Sequence, residues 1–172
     1  MTRINRNPSI ARVSVLVGAN VISLVPEYLA RVQTLIYAKT KEHASVEIRG
    51  PRWIPRGADW TVVVFSASIT FNSGEILKIT DNFKRESPQH EWTRKFSYFF
   101  GIPKDNEMER IFLFDTHGLF GGPEHFHSED DERLEAGDPR LKGFSPENID
   151  ITHVLEFIDL HFDNKPFPWV SI

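Results

Sequence analysis

The chain has 172 residues, of which 40% are hydrophobic and 14 are Phe, so it is long enough for one domain with an aromatic core. It contains no Cys, which excludes disulfides, thiolate metal sites and a Cys nucleophile and fits a cytoplasmic protein. No apolar run is long enough to span a membrane. We therefore interpret residues 1–172 as a single domain, in which the polar residues 1–11 are expected to be loose.

Charge is distributed unevenly along this chain of net charge −4. Residues 1–100 contain 14 Lys and Arg against 8 Asp and Glu, or +6, whereas residues 101–172 contain 6 against 16, or −10. A basic surface would favour nucleic acid, and an acidic surface would favour a basic partner. The alternative is that folding intermixes the two halves and leaves a weak surface field.

The hydrophobic pattern predicts one helix near the N-terminus, with a short strand on either side of it. The helix is expected to begin at Ser23, because Pro26 suits a first turn and the apolar residues that follow recur at helical spacing. The short strands are predicted at residues 13–17 and 45–49.

The segment 50–59 contains Gly50, Pro51, Pro55 and Gly57 and is predicted to be a loop. Three cations, Arg49, Arg52 and Arg56, surround Trp53 in and beside this segment. Cations with an indole are typical of single-strand nucleic-acid sites, where they contact phosphate and stack on a base. The alternative is a Pro-rich surface loop whose charges are unrelated.

A strand-rich body follows, with strands predicted at residues 60–71, 75–80, 96–100 and 111–115. The first two are joined by the turn at 72–74, which contains Gly74. Successive strands with short connections favour an antiparallel meander. The acidic segment 129–143 is predicted to be a loop.

The last predicted element is a helix, with Ser145 at its N-cap and Pro146 at its first position. One apolar face is marked by Ile151, Val154, Leu155, Ile158 and Phe162. The sequence therefore predicts an α+β fold. In it, an antiparallel sheet of four to six strands carries an N-terminal helix and a C-terminal helix.

The densest group of titratable side chains follows the strand 111–115. Alternate residues of a strand share a face, so Asp115 and His117 are expected to point the same way, as are His125 and His127 if extended. Such a group can transfer protons, because an imidazole titrates near pH ~6.5 and a carboxylate can fix its tautomer. It can also bind a divalent metal, or consist of exposed loop histidines without a role.

Three further side chains have both a functional and a structural interpretation. Arg94 and Lys95 lie at the start of the strand 96–100, and Tyr98 lies within it. They can bind phosphate, or they can be solvated strand-end charges and a core aromatic.

His153 and His161 are interpreted as boundary residues of the last helix. The chain has no phosphate loop, GxSxG, HExxH or dinucleotide fingerprint, so no cofactor is predicted.

Residues 60–162 resemble the TumE-like toxins of prokaryotic toxin–antitoxin pairs. That family has an aromatic strand, an apolar strand ending in Asp, and a His cluster. The matching segments are Phe96-Ser97-Tyr98, Phe112-Leu113-Phe114-Asp115 and Pro123-Glu124-His125-Phe126-His127. This sequence departs from the family pattern at Leu113 (Arg in the family), Thr116 (Asn) and Glu124 (His).

The resemblance implies a toxin, and the expected activity is metal-independent cleavage of RNA. Either His125 or His127 would remove a proton from a ribose 2′-hydroxyl and the other would protonate the leaving oxygen, while Asp115 orients an imidazole. The residues expected to hold the substrate are Arg94, Lys95, Tyr98 and His117.

The partners to expect are a cognate antitoxin, an RNA and a second copy of the chain, with no membrane. Two other functions stay open. One is a non-enzymatic binding or regulatory module, whose acidic segment 124–138 meets a basic partner. The other is a metal-binding protein that uses the His and Asp cluster.

Overall fold

The computed structural model describes residues 25–40, 44–57, 60–116, 118–128, 133–135, 137–141, 146 and 149–169. The predictions made for residues 1–11, 13–17, Ser23, His117 and Ser145 lie outside these residues. Helix α1 spans Val25–Thr40 and helix α2 spans Ile151–Phe162, with a 3-10 turn at Pro139–Leu141. The strands are β1 Ala44–Arg56, β2 Trp60–Phe71, β3 Ile76–Arg85, β4 Thr93–Lys104, β5 Glu107–Asp115, β6 His125–His127 and β7 Arg133–Leu134.

The strands form one seven-stranded sheet in which each strand pairs antiparallel with the next in the chain. This meander with one helix at each end confirms the predicted α+β fold, although the sheet is one strand larger than the upper limit predicted. Five predicted strands correspond to β1–β5, the one at 13–17 lies outside the described residues, and β6 and β7 are additional, with β7 inside the predicted loop 129–143. These two strands are too short to give a pattern in an otherwise polar segment.

Residues 50–56 do not form the predicted loop, because β1 continues through them as far as Arg56. The register with β2 shifts between Arg49 and Arg52, which is where Gly50 and Pro51 are accommodated in a bulge. Gly50 has φ +97, and a Cβ there would lie 2.6 Å from the carbonyl oxygen of Val64, so glycine is required. Because β1 is an edge strand, a missing proline N–H leaves its ladder with β2 largely intact.

One face of the sheet is the hydrophobic core, and we call it the core face. Alternate residues of the central strands are buried on it, including Phe65, Leu77, Phe96, Phe100 and Phe114. Both helices pack on this face. Tyr28 of α1 contacts Phe83 with ring centroids 5.7 Å apart, and Phe157 of α2 stacks on Phe114 at 5.6 Å.

The residues between those of the core face point to the other side of the sheet, which we call the open face. No described helix lies on it, and most of its side chains are half-buried or exposed. Its middle carries Ser66, Thr80, Ser97 and Asp115 on β2 to β5. Neither described helix is long and apolar enough to cross a membrane.

Helix α2 begins later than predicted. Asp150 is its N-cap, and its carboxylate accepts hydrogen bonds from the backbone N–H groups of Thr152 and His153 at 2.8 and 3.3 Å. Pro146 therefore lies outside the helix, because Asp150 supplies the cap four residues later. The predicted apolar face is confirmed for Ile151, Val154, Leu155 and Ile158, which are buried.

Candidate functional site

A buried polar network occupies the core face, where the sequence pattern predicts apolar side chains. Arg94 on β4 donates from Nε and Nη2 to the two carboxylate oxygens of Asp81 on β3, at 2.7 and 2.8 Å. Tyr28 of α1 and Tyr98 of β4 each donate to Asp81 Oδ2 at 2.8 Å. Arg94 also donates to the hydroxyls of both tyrosines and, from Nη1, to the carbonyl oxygen of Ile149 at 3.2 Å.

This network satisfies a charge pair that is completely buried. Burial by itself would lower the pKa of Arg94, but Asp81 and the two tyrosines outweigh it and hold the pKa above its usual range. Burial raises the pKa of both Tyr28 and Tyr98, so their hydroxyls stay protonated and act as donors. Because Ile149 immediately precedes Asp150, the N-cap of α2, the network joins both helices to the sheet.

Two residues that the sequence predicts to contact substrate, Arg94 and Tyr98, belong to this buried network instead. Arg94 and Tyr98 are 0% exposed and lie on the core face, whereas Lys95 is half-buried on the open face. The alternation of side chains along β4 predicts this burial, because Arg94 and Tyr98 lie two residues from the core residues Phe96 and Phe100 and share their face. Arg94 and Tyr98 therefore do not line the surface that carries the histidines.

The structure does bring Asp115, His125 and His127 together. Asp115 on β5 and His125 on β6 are direct cross-strand partners, and His127 pairs with Leu113 two residues away. Directly opposite Cβ atoms lie about 4.5–5.5 Å apart, and residues two apart along a strand lie about 7 Å apart. The two imidazoles and the carboxylate thus share one small area of the open face.

Asp115 and His125 end a row of polar side chains that crosses the sheet, and His127 lies beside its end. In order, the cross-strand partners of this polar row are Arg49, Ser66, Thr80, Ser97, Asp115 and His125. Each lies on a different strand, so no local sequence motif links the hydroxyls to the histidines. Only the register of the sheet aligns them, so the sequence alone does not identify Ser66, Thr80 and Ser97 as part of the candidate site.

Both histidines are nearly covered, with His125 1% exposed and His127 9% exposed. Burial lowers the pKa of His125, the positive charge of Arg133 lowers it further, and Asp115 opposes the shift. The imidazole of His125 is therefore neutral at pH ~7, where it can accept a proton. Within the described part of the chain, Nδ1 of His127 and Oγ of Ser128 are buried and have no hydrogen-bond partner.

Arg110 on β5 fixes the chain just beyond the histidines. Its Nε donates to the carbonyl oxygen of Ser128 at 2.8 Å. This bond ties the end of β6 to β5, so the short strand is held at both ends by its neighbour. His117, which was expected near Asp115, lies outside the described residues.

Among the described residues, no group of three or more His, Asp, Glu or Cys side chains is arranged to hold a metal ion. In the acidic segment 124–138, two of the described acids pair with arginines within or just beyond the segment. Arg133 contacts Glu135 at 2.8 Å, and Arg140 contacts Asp138 at 2.6 Å. Hydrogen bonds from Arg140 lower the pKa of Asp138 to about 2. This internal pairing reduces the negative charge that a basic partner would meet.

The two histidines of α2 have structural partners. The Nδ1 atom of His153 lies 3.0 Å from the carboxylate of the N-cap Asp150, and His161 Nε2 lies 3.4 Å from Glu75. His161 also contacts the ring of Phe100 edge-on, with centroids 5.3 Å apart. Both residues fit their interpretation as boundary residues of the helix.

Comparison with models of known protein families, with curated proteins and with solved structures finds no match to this chain.

Proposed function

We propose that this chain is a toxin-like ribonuclease of a toxin–antitoxin pair, which cleaves RNA without a metal by proton transfer through Asp115, His125 and His127. The observation that carries the proposal is the cross-strand pairing of Asp115 with His125, next to His127, on the open face of the sheet. A carboxylate beside an imidazole can fix its tautomer and stabilise its protonated form. The resemblance of residues 60–162 to TumE-like toxins supports the same assignment.

The proposed reaction is attack by a ribose 2′-oxygen on the adjacent phosphorus. A bond forms between that oxygen and phosphorus, and the bond from phosphorus to the 5′-oxygen breaks. His125 takes the 2′-hydroxyl proton, a role that suits its lowered pKa, and His127 gives a proton to the leaving 5′-oxygen. Lys95, on the same face, would neutralise charge on the phosphate.

The burial of His125 adds a requirement to this proposal. Because its side chain is 1% exposed, the groups that cover it must move aside before its ring meets a ribose. His127, Asp115 and Ser97 are closer to solvent than His125 and would meet the RNA first. This movement on binding would then form part of the catalytic cycle.

Growth of a bacterial host tests the proposal. Induced expression of the wild-type chain should arrest growth and degrade RNA, and Asp115→Ala should relieve the arrest at equal protein level. The matched control is Asp163→Ala, because Asp163 is an exposed aspartate beyond the end of α2, paired with Lys165 at 2.7 Å. Normal growth with wild type, or relief by Asp163→Ala as well, would contradict the proposal.

A further inference from the structure

The open face is basic although the chain as a whole is acidic. Excluding the β4–β5 hairpin end beyond Gly101, the described strand residues that point to this face include seven cations and two carboxylates. The cations are Arg49, Arg52, Arg56, Lys78, Lys84, Lys95 and Arg133, and the carboxylates are Glu47 and Asp115. Against a net charge of −4 for the chain, this face has a surplus of five positive charges. The counted part of the open face therefore carries a net positive charge.

Several of these cations are available to an anionic ligand. Arg52, Arg56, Lys78 and Lys95 form no ion pair with any acid in the described part of the chain. Arg52 and Arg56 are exposed on the edge strand β1, and Lys95 lies three strands away on β4. In the register of the sheet, Arg52 and Lys95 are at the two ends of one row that runs through Val64 and Asn82. Arg52 and Lys95 are therefore aligned perpendicular to the strands, and Lys78 lies four residues from Asn82 along β3.

An aromatic ring lies beside one of these cations on the open face. Phe99 of β4 is half-buried on the open face, with the Nζ atom of Lys78 5.9 Å from its ring centroid. Phe99 pairs with Leu113, whose partner on the next strand is His127. Two inter-strand spacings, or about 10 Å, therefore separate Phe99 from His127. A nucleotide whose base stacks on Phe99 would have its backbone near Ser97, Asp115 and His127.

We infer that the open face binds a single strand of nucleic acid that crosses the sheet from β1 toward β6. Arg52 and Lys95 contact phosphates at the two ends of their row, Lys78 contacts a phosphate four residues from that row along β3, and Phe99, the partner of Lys78, stacks on one base. Five inter-strand spacings amount to about 24 Å, which fits the lower end of single-strand site sizes, about 4 nucleotides. That the strand is RNA rests on the proposed function, whereas the binding surface itself rests on the charge and the ring. A duplex is disfavoured because its bases are stacked inside and cannot reach Phe99.

Binding of a fluorescein-labelled, unstructured RNA of about 12 nucleotides, followed by anisotropy, tests this inference. The probe is titrated with full-length His127→Ala protein, so that cleavage does not distort the binding curve. Arg52→Ala and Lys95→Ala, each added to that background, should weaken binding about fivefold at 0.1 M salt. Each should also reduce the slope of log affinity against log salt by about 0.7, as expected for one lost phosphate contact.

Phe99→Leu keeps the apolar volume and removes the ring, so it should weaken binding about 5- to 150-fold without changing the salt slope. The matched control for the cations is Lys165→Ala, because Lys165 is exposed beyond α2 and away from the open face. It should leave both affinity and slope unchanged. Thermal melts of every variant identify any loss of affinity that comes from unfolding.

Equal loss of affinity in Lys165→Ala and Arg52→Ala, or equal affinity for duplex and single-stranded RNA, would overturn the inference. Equal affinity for single-stranded DNA would overturn its RNA component. If wild type cleaves RNA and the substitutions Arg52→Ala, Lys95→Ala and Phe99→Leu leave the cleavage rate unchanged, the inferred binding surface is wrong and the proposed function stands. Binding as described, without cleavage by wild type, would remove the proposed function and support the surface.

Discussion

Arg94 Nε donates to Asp81 Oδ1 across 2.7 Å, and both side chains are completely buried between the sheet and the helices. The guanidinium also lies over the ring of Phe96, with 4.4 Å from its central carbon to the ring centroid. Tyr28 attaches this pair to α1 and the carbonyl of Ile149 attaches it to the start of α2. The pair therefore links the sheet to helix α1 and to the start of helix α2.

Removing one partner should be strongly destabilising. Arg94→Met leaves the carboxylate of Asp81 buried without its counter-charge, so the free energy of unfolding should fall by about 3–5 kcal/mol. Denaturant unfolding followed by circular dichroism measures this loss.

The double variant Arg94→Met, Asp81→Leu removes both charges and is the control for this prediction. It should recover most of the lost stability, because two apolar side chains need no partner. A double variant as unstable as the single one would mean that shape, and not the charge pair, is what the core requires at these positions.

The buried face of α2 gives a second prediction. Ile158 is 0% exposed, so Ile158→Asp buries an unpaired carboxylate and should unfold the protein. Glu156→Asp places the same side chain on the exposed face of the same helix and should change the melting temperature little. A wild-type melting temperature for Ile158→Asp would show that α2 does not bury this face.

The antiparallel meander and the face of α2 could be predicted because they depend on local patterns. Alternation along β4 and β5 is visible in the sequence, and the spacing of Ile151, Val154 and Ile158 marks one side of a helix. The bulge in β1 could not be predicted in this way, because Gly50 and Pro51 read as a loop until a neighbouring strand pairs on both sides of them.

The positions of buried and clustered polar side chains are harder to predict from the sequence than the helices and strands. Alternation assigns Arg94 to the face of Phe96 and Phe100, but a charged residue at a strand end is usually solvated. Its burial depends on Asp81 from another strand and Tyr28 from a helix, which no local pattern relates to it. Asp115 and His125 are likewise ten residues apart in sequence, and only the register of β5 and β6 makes them neighbours.

The N-cap of α2 should make stability depend on pH. The hydrogen bond to Asp150 raises the pKa of His153 above its usual value of about 6.5, so the protonated imidazole stabilises the folded state. This contribution is complete below pH ~6.5 and is lost as the pH rises through the raised pKa. The pKa of Asp150 is lowered, so the carboxylate stays charged until the pH falls below about 4.

The difference in melting temperature between wild type and His153→Ala should therefore be larger near pH ~5.5 than near pH ~8.5. Thr152→Ala alters the same turn without removing a titrating group, so its difference from wild type should be the same at both pH values. A His153→Ala difference that does not change with pH would mean that the imidazole contributes no charge to this cap.

Metal content separates proton transfer from the metal-binding alternative. The described residues contain no group of three or more ligand side chains arranged for a metal, so purified protein should carry less than about one tightly bound zinc ion per chain. Elemental analysis of protein purified without chelator gives this ratio. One stoichiometric metal that is lost in His125→Ala would instead assign the His and Asp cluster to a metal site.

The most direct test of the proposed chemistry is the rate of RNA cleavage by wild type, His125→Ala and His127→Ala at equal, folded concentration. Either substitution should lower the rate about 10²- to 10⁴-fold, as expected when a proton-transfer group is removed. The wild-type rate should follow a bell in pH with both limbs between about 5 and 8, and chelator should not change it. His90→Ala, an exposed histidine away from the cluster, should cleave like wild type. A double variant, His125→Ala, His127→Ala, that cleaves RNA as fast as wild type would contradict the account.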